Sequence, residues 1–78
     1  AGGTDAGLTI PDGTTVFVIG VGTETGGFSL TGPSGIAGQV LFVRNSSTQA
    51  TTGLVVNSGG GATFVSDGTV WHKVSETN

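Results

Sequence analysis

The stretch Gln39–Asn45, which reads QVLFVRN, is the longest run of strand-forming residues in the chain. Its β-branched and aromatic residues favour a strand, and the four consecutive apolar residues Val40 to Val43 predict burial on both faces. Two other runs share its Phe-Val centre, at Phe17-Val18 and at Phe64-Val65. The same kind of strand therefore recurs three times along the chain.

Each of these runs is preceded by a shorter strand-like piece that opens with glycine, at Gly7, Gly27 or Gly53. Turn residues separate the pieces; Pro fixes φ, and Asp and Gly tolerate turn dihedrals. Asp67-Gly68 is the strongest hairpin signal. No segment has the composition of a helix, because Gly recurs throughout and Lys, Glu and Arg are scarce. The predicted strands are Leu8–Ile10, Thr15–Gly20, Phe28–Leu30, Gln39–Asn45, Leu54–Asn57, Ala62–Ser66 and Val70–Val74.

These signals predict an all-β fold of about seven short antiparallel strands in a small sandwich or prism, built from roughly three hairpin-like units. In the last strand, alternation sets Val70, His72 and Val74 on one face and Trp71 and Lys73 on the other. Residues Glu76 to Asn78 are expected to fray. The predicted core is Leu8, Ile10, Val16, Val18, Phe28, Leu30, Val40, Phe42, Leu54, Val56, Phe64 and Val70.

Size and composition favour an oligomer. The chain has 78 residues, which we expect to form a single module, residues 1–78, from a longer protein. It has no Cys and one His, so disulfides, thiolate metal sites and a histidine zinc site are not expected. Charged residues make up 9% of the chain against about 25% in average domains, which indicates that much of the surface faces another chain. The alternative is a monomer made soluble by hydroxyl and amide groups.

The charge pattern argues against two classes of partner. The net charge is −3 and the cations are Arg44 and Lys73, so there is no basic stripe for nucleic acid. No apolar run approaches the roughly 20 residues of a membrane span, so we expect no membrane insertion. No cofactor is expected.

Three residues are candidates for ligand binding. Trp71 has a flat apolar face and an N–H donor that suit stacking on a sugar, although the interpretation favoured here is that it covers the end of the core. Arg44 ends a hydrophobic strand, where it could pair with a carboxylate, cap an interface or bind an anionic glycan. Glu24 lies in the polar loop Gly22–Gly26.

Two short patterns carry no functional weight. Ser66, Asp67 and His72 are the residue types of a catalytic triad. However, the hairpin turn explains Asp67, the strand end explains Ser66, and there is no Gly-x-Ser-x-Gly elbow. Asn45-Ser46-Ser47 fits the N-glycosylation pattern, which is short enough to arise by chance. We therefore expect a protein that is not an enzyme, with no catalytic or metal-binding residues.

Three segments, Leu8–Val16, Gly35–Asn45 and Gly61–Trp71, resemble in their order modules of bacteriophage tail fibres and of large-virus receptor-binding fibres. The Gly-Gln-Val-Leu stretch and the Asp-Gly-Thr-x-Trp ending carry most of this resemblance, which extends from about Ala6 to Val74. The resemblance implies a β-rich homotrimer in a virion-attached fibre, or otherwise an extracellular protein, with a role in assembly or host attachment.

The expected function is structural and adhesive. The module would trimerise and present the loops Gly22–Gly26 and Asn45–Thr52 to a host-surface glycan or protein. One alternative is a purely structural trimerisation or capping domain that binds no ligand. Another is a carbohydrate-binding module appended to an enzyme.

Overall fold

The computed structural model describes residues 7–20 and 26–77. This part of the chain contains seven short strands and no helix, which confirms the all-β prediction. The strands are β1 (Leu8–Thr9), β2 (Val16–Ile19), β3 (Phe28–Thr31), β4 (Val40–Asn45), β5 (Thr51–Gly53), β6 (Gly61–Ser66) and β7 (Trp71–Thr77).

The strands form two sheets, a three-stranded sheet in the order β1-β3-β5 and a four-stranded sheet in the order β2-β4-β6-β7. The pairs β1–β3, β3–β5 and β2–β4 are parallel, and only β4–β6 and β6–β7 are antiparallel. The prediction of an antiparallel fold is therefore wrong for three of the five pairings.

The three predicted hairpin-like units do not form hairpins, because the two strands of each unit lie in different sheets. The turn after Pro11 forms, with a 3.3 Å hydrogen bond from the Thr14 N–H to the Pro11 carbonyl. It carries the chain from one sheet to the other and does not fold β2 back onto β1. The next two strands pair with the first two: β3 pairs with β1, with Leu8 opposite Leu30, and β4 pairs with β2, with Val16 opposite Phe42. Strands β1 and β2 thus pair in parallel with β3 and β4.

The hairpin predicted at Asp67-Gly68 is confirmed. It joins β6 to β7 and is closed by a 3.1 Å hydrogen bond from the Asp67 N–H to the Val70 carbonyl. In β7, Trp71 and Lys73 lie opposite Ser66 and Phe64, which places them on the predicted common face.

Among the described residues the core is made of nine buried apolar residues, and the prediction is confirmed for five of them. The confirmed residues are Ile10, Phe28, Leu30, Val56 and Phe64. The residues that the prediction missed are Ile19, Leu41, Val43 and Ala62. Leu8 and Leu54 are half-buried against this cluster.

The core prediction is wrong where both faces of a strand are apolar. Leu41 and Val43 of β4 point into the core, so Val40 and Phe42 point out. Alternation alone cannot choose between two apolar faces of one strand. The predicted core residues that are exposed for this reason are Val16, Val18, Val40 and Phe42; Val70 is also exposed, because it lies in the turn before β7.

Two strands differ from the prediction by more than one residue at an end. Leu54–Asn57 is not a strand, because the Thr51 hydroxyl donates to the Leu54 carbonyl at 2.6 Å and accepts from the Val56 N–H at 2.8 Å, which folds this segment into a turn. The expected fraying is wrong for Glu76 and Thr77, which lie in β7. Asn78 lies outside the described residues.

Candidate interaction surface and binding residues

The solvent-facing side of the four-stranded sheet carries a row of apolar side chains. The exposed fractions are 62% for Val16, 61% for Val18, 48% for Val40 and 39% for Phe42. Val16 lies opposite Phe42, and Val40 lies opposite the half-buried Val65, so the row crosses three neighbouring strands. We call these five residues, Val16, Val18, Val40, Phe42 and Val65, the apolar stripe.

The ring of Phe42 lies against a glycine of the neighbouring strand β6. A Cβ at Gly61 would lie 3.0 Å from Phe42 Cζ and 3.2 Å from the Val43 carbonyl oxygen, so a larger residue there would require the ring to shift. Phe42 therefore lies over β6 at Gly61.

Charge is confined to the ends of the apolar stripe. Arg44 is exposed at one end, opposite Val18 on β2 and Gly61 on β6, and it forms no ion pair with a described residue. His72 lies at the other end, opposite Val65, with its Nε2 2.8 Å from Asp67 Oδ2. The centre of the stripe can therefore be covered without burying a charge.

Trp71 packs under a loop. Its indole N–H donates to the Pro33 carbonyl oxygen at 2.9 Å. A Cβ at Gly32 or Gly35 would approach the indole ring to 2.9 Å, so both glycines lie directly against it. The ring and its donor are thus engaged within the chain, as expected of a residue that covers the end of the core. Sugar binding by Trp71 stays a prediction.

The three candidate ligand-binding residues do not form one site in the structure. Arg44 and Trp71 lie opposite the two ends of β6, at Gly61 and Ser66. They also project from opposite faces of the four-stranded sheet. Trp71 shares the face of its partner Ser66, which points to the core. Arg44 shares the face of its partner Gly61, which lies an odd number of residues from Ser66 along β6 and therefore on the outer side. Glu24 lies outside the described residues, as does most of its loop.

The residues Asp67 and His72 stabilise the β6–β7 turn. The hydrogen bond from His72, followed by those from the Val70 and Thr69 N–H groups, holds the pKa of the Asp67 carboxyl well below its usual range. Ser66 is buried, and its hydroxyl accepts from the Gly68 N–H at 3.0 Å. The carboxylate and the hydroxyl thus both bind turn amides.

The described residues contain no cavity and no group of three potential metal ligands. They also contain no helix with the length and apolarity that crossing a bilayer requires.

Asn45 organises a loop, a role that sequence reasoning missed. It is fully buried, and its Nδ2 donates to the carbonyls of Gln49 at 2.9 Å and Val56 at 3.0 Å. Its Oδ1 accepts from the Ser47 N–H at 3.0 Å and from the Ser47 hydroxyl at 2.6 Å. All hydrogen-bonding positions of the amide are used, so the glycosylation pattern at Asn45 is inaccessible in the folded chain. The inward alternation of Leu41, Val43 and Asn45 is the signal that could have found it.

A scan against protein-family models matched none, and searches of curated proteins and of solved structures also returned no match. The outer face of the four-stranded sheet, with its exposed apolar stripe, is therefore the feature from which a function can be inferred.

Proposed function

We propose that the chain is a structural and adhesive module of a viral fibre. It forms a homotrimer and presents loops to a glycan or protein on the host surface. Its place is the virion, outside the cell, and it acts without a cofactor and without catalysis. The observation that supports the proposal most is the exposed apolar stripe on a sheet whose other face packs against the core.

Apolar surface on a rigid sheet favours association. Burying apolar area is worth roughly 25 cal/mol per Å², and contiguous exposed apolar patches mark interaction sites. The stripe stands on β2, β4 and β6, whose inner faces contact the core, so little ordering cost accompanies its burial. Three copies that turn this face toward a common axis would cover the stripe in every subunit.

The loop Asn45–Thr52 suits presentation to a ligand. It starts at the buried Asn45 and ends in β5, and the Asn45 amide fixes its middle through the Gln49 carbonyl. A loop that is ordered before binding loses less entropy when a ligand docks. Thr48, at its exposed part, would be among the first residues to meet a partner.

Light scattering coupled to size exclusion tests the trimer. We expect a mass about three times the 7.6 kDa of one chain, and a monomer mass for Val40→Lys, which places a charge in the stripe. Val55→Lys is the matched control, since Val55 is 43% exposed but lies outside the stripe. A wild-type chain that remains monomeric at high micromolar concentration would contradict the proposal.

A purely structural trimerisation or capping domain is the second candidate. The engaged indole of Trp71 and the lack of a cavity in the described part of the chain favour it. A glycan array separates the two functions, because a capping domain would form the trimer but bind no glycan. Quenching of Trp71 fluorescence by sugars would instead support a carbohydrate-binding module appended to an enzyme.

A further inference from the structure

The strand β2 forms one edge of the four-stranded sheet, and its free side faces outward. The carbonyls of Thr15 and Ile19 accept from the N–H groups of Phe42 and Ser46 at 2.8 and 3.1 Å. Backbone groups of successive strand residues point to alternate sides. The N–H and C=O groups of Val16 and Val18 therefore point away from β4, where no strand of the described chain pairs with them.

The two edge strands of this sheet differ in how well they are protected against pairing with a strand of another chain. The edge strand β7 carries Lys73 and Glu76, and its pairing with β6 is interrupted by a bulge at Thr63/Phe64. Charges and bulges are the devices by which proteins prevent edge-to-edge pairing. The strand β2, Val-Phe-Val-Ile, has no charge, no proline and no bulge in its register with β4.

The core is less well covered at the β2 end. Phe17 is half-buried, whereas its parallel partner Val43 on β4 is fully buried. The same difference separates Leu8 of β1 from its partner Leu30. A further strand beside β2 would complete the packing around Phe17.

We propose that the free edge of β2 is a strand-addition site for a second copy of this chain. The two β2 strands pair antiparallel about a two-fold axis, with Phe17 opposite Phe17 and Val16 opposite Val18 of the partner subunit. In this register the outward N–H and C=O groups of Val16 and Val18 face their counterparts and form the hydrogen bonds of an antiparallel ladder. The Phe17 side chains meet on the core side with Cβ atoms about 5 Å apart.

A second copy is the occupant that these features favour. An uncharged strand meets its own copy without electrostatic repulsion, and an isologous contact uses the same edge on both subunits. The protected edge at β7 prevents the contact from continuing head to tail, so each β2 edge joins only two chains. The contact uses the sheet edge and the proposed trimer uses the outer face, so the two can be tested separately.

Cysteine cross-linking tests the register. The chain has no Cys, so an introduced cysteine is its sole thiol. Phe17→Cys should form an interchain disulfide roughly tenfold faster than Val16→Cys, because directly opposed residues meet the distance limits of a disulfide and residues two positions out of register do not. Equal rates for the two variants would overturn the proposed pairing.

Hydrogen exchange of the wild-type chain provides a second readout that needs no substitution. The amides of Val16 and Val18 should gain roughly tenfold protection as concentration rises from micromolar to millimolar. Val18→Pro should abolish the protection at Val16, since it removes an outward N–H and leaves the bonds to β4 intact. Val40→Lys, which disrupts the outer face, should leave the protection unchanged. Free exchange of both amides at every concentration would overturn the proposal, whether or not a trimer forms.

Discussion

The indole N–H of Trp71 donates a 2.9 Å hydrogen bond to the carbonyl oxygen of Pro33, 38 residues earlier in the chain. This bond joins the start of the last strand to the loop between β3 and β4. Pro33 is buried, and the indole N–H supplies a hydrogen bond to its carbonyl oxygen.

Trp71→Phe should therefore destabilise the chain by about 1–3 kcal/mol, because the buried Pro33 carbonyl would lose its donor. Urea unfolding followed by far-ultraviolet circular dichroism measures the change. Val74→Thr on the same strand is the control, because Val74 is exposed and its substitution should cost less than about 0.5 kcal/mol. A Trp71→Phe variant as stable as the control would show that the hydrogen bond contributes nothing.

Asn45→Asp should lower the free energy of unfolding at neutral pH by about 2–4 kcal/mol. The carboxylate keeps the acceptor for Ser47 but sets an oxygen against the Gln49 and Val56 carbonyls, which lose their donor. Gln49→Glu is the matched control, since it makes the same amide-to-acid change in the same loop. Similar losses for both variants would assign the effect to added charge and not to the amide bonds.

Gly53→Ala should lower the free energy of unfolding more than Gly38→Ala does. Both glycines have φ near +80° (80° and 87°), which should cost an alanine about 1–2 kcal/mol at either site. A Cβ at Gly53 would also lie 2.6 Å from the Leu30 carbonyl oxygen, whereas Gly38 faces open space. The difference between the two urea midpoints isolates this contact between β3 and β5, and equal midpoints would contradict it.

Acid should weaken the β6–β7 turn. Because the pKa of Asp67 is lower in the folded chain than in the unfolded chain, its contribution to stability is complete above the unfolded value of about 3.9. That contribution is lost as pH falls from there through the folded pKa.

Asp67→Asn should remove this component and flatten the stability profile between pH 2 and 5, while it keeps the acceptor for Thr69 and Val70. Urea midpoints at a series of pH values provide the measurement. The other carboxylates contribute the same pH dependence to both proteins. Urea midpoints that fall equally with pH in the variant and in the wild type would therefore refute the role of Asp67.

Strand positions were predictable because β-branched runs and turn residues act locally. The predicted strand at Gln39–Asn45 starts one residue before β4, and the Asp67-Gly68 turn forms as expected. The faces of β4 were also within reach of the sequence. Arg44 needs solvent, so its strand neighbours two and four residues earlier, Phe42 and Val40, share its exposed face. The prediction overlooked this signal and assigned both residues to the core.

Strand pairing was beyond local reasoning. The turn at Pro11 joins strands of different sheets, and nothing in its residues distinguishes that path from a hairpin. The role of Asn45 depends on Val56, which reaches it only after the chain has turned through β5. Strand pairing and buried polar networks depend on contacts between segments far apart in sequence. Local residue patterns do not show which distant segments come into contact.

Parallel stacking also determines the order in which the chain can fold. Among the described strands, only β6 and β7 are neighbours both in sequence and in a sheet, so their hairpin can form on its own. The pairs β1–β3 and β2–β4 each require a long intervening segment to close, which makes them slow to form. We expect folding to begin at the Asp67-Gly68 turn and to reach β1 and β2 last. In newly made chains, β1 and β2 would therefore remain unpaired longest.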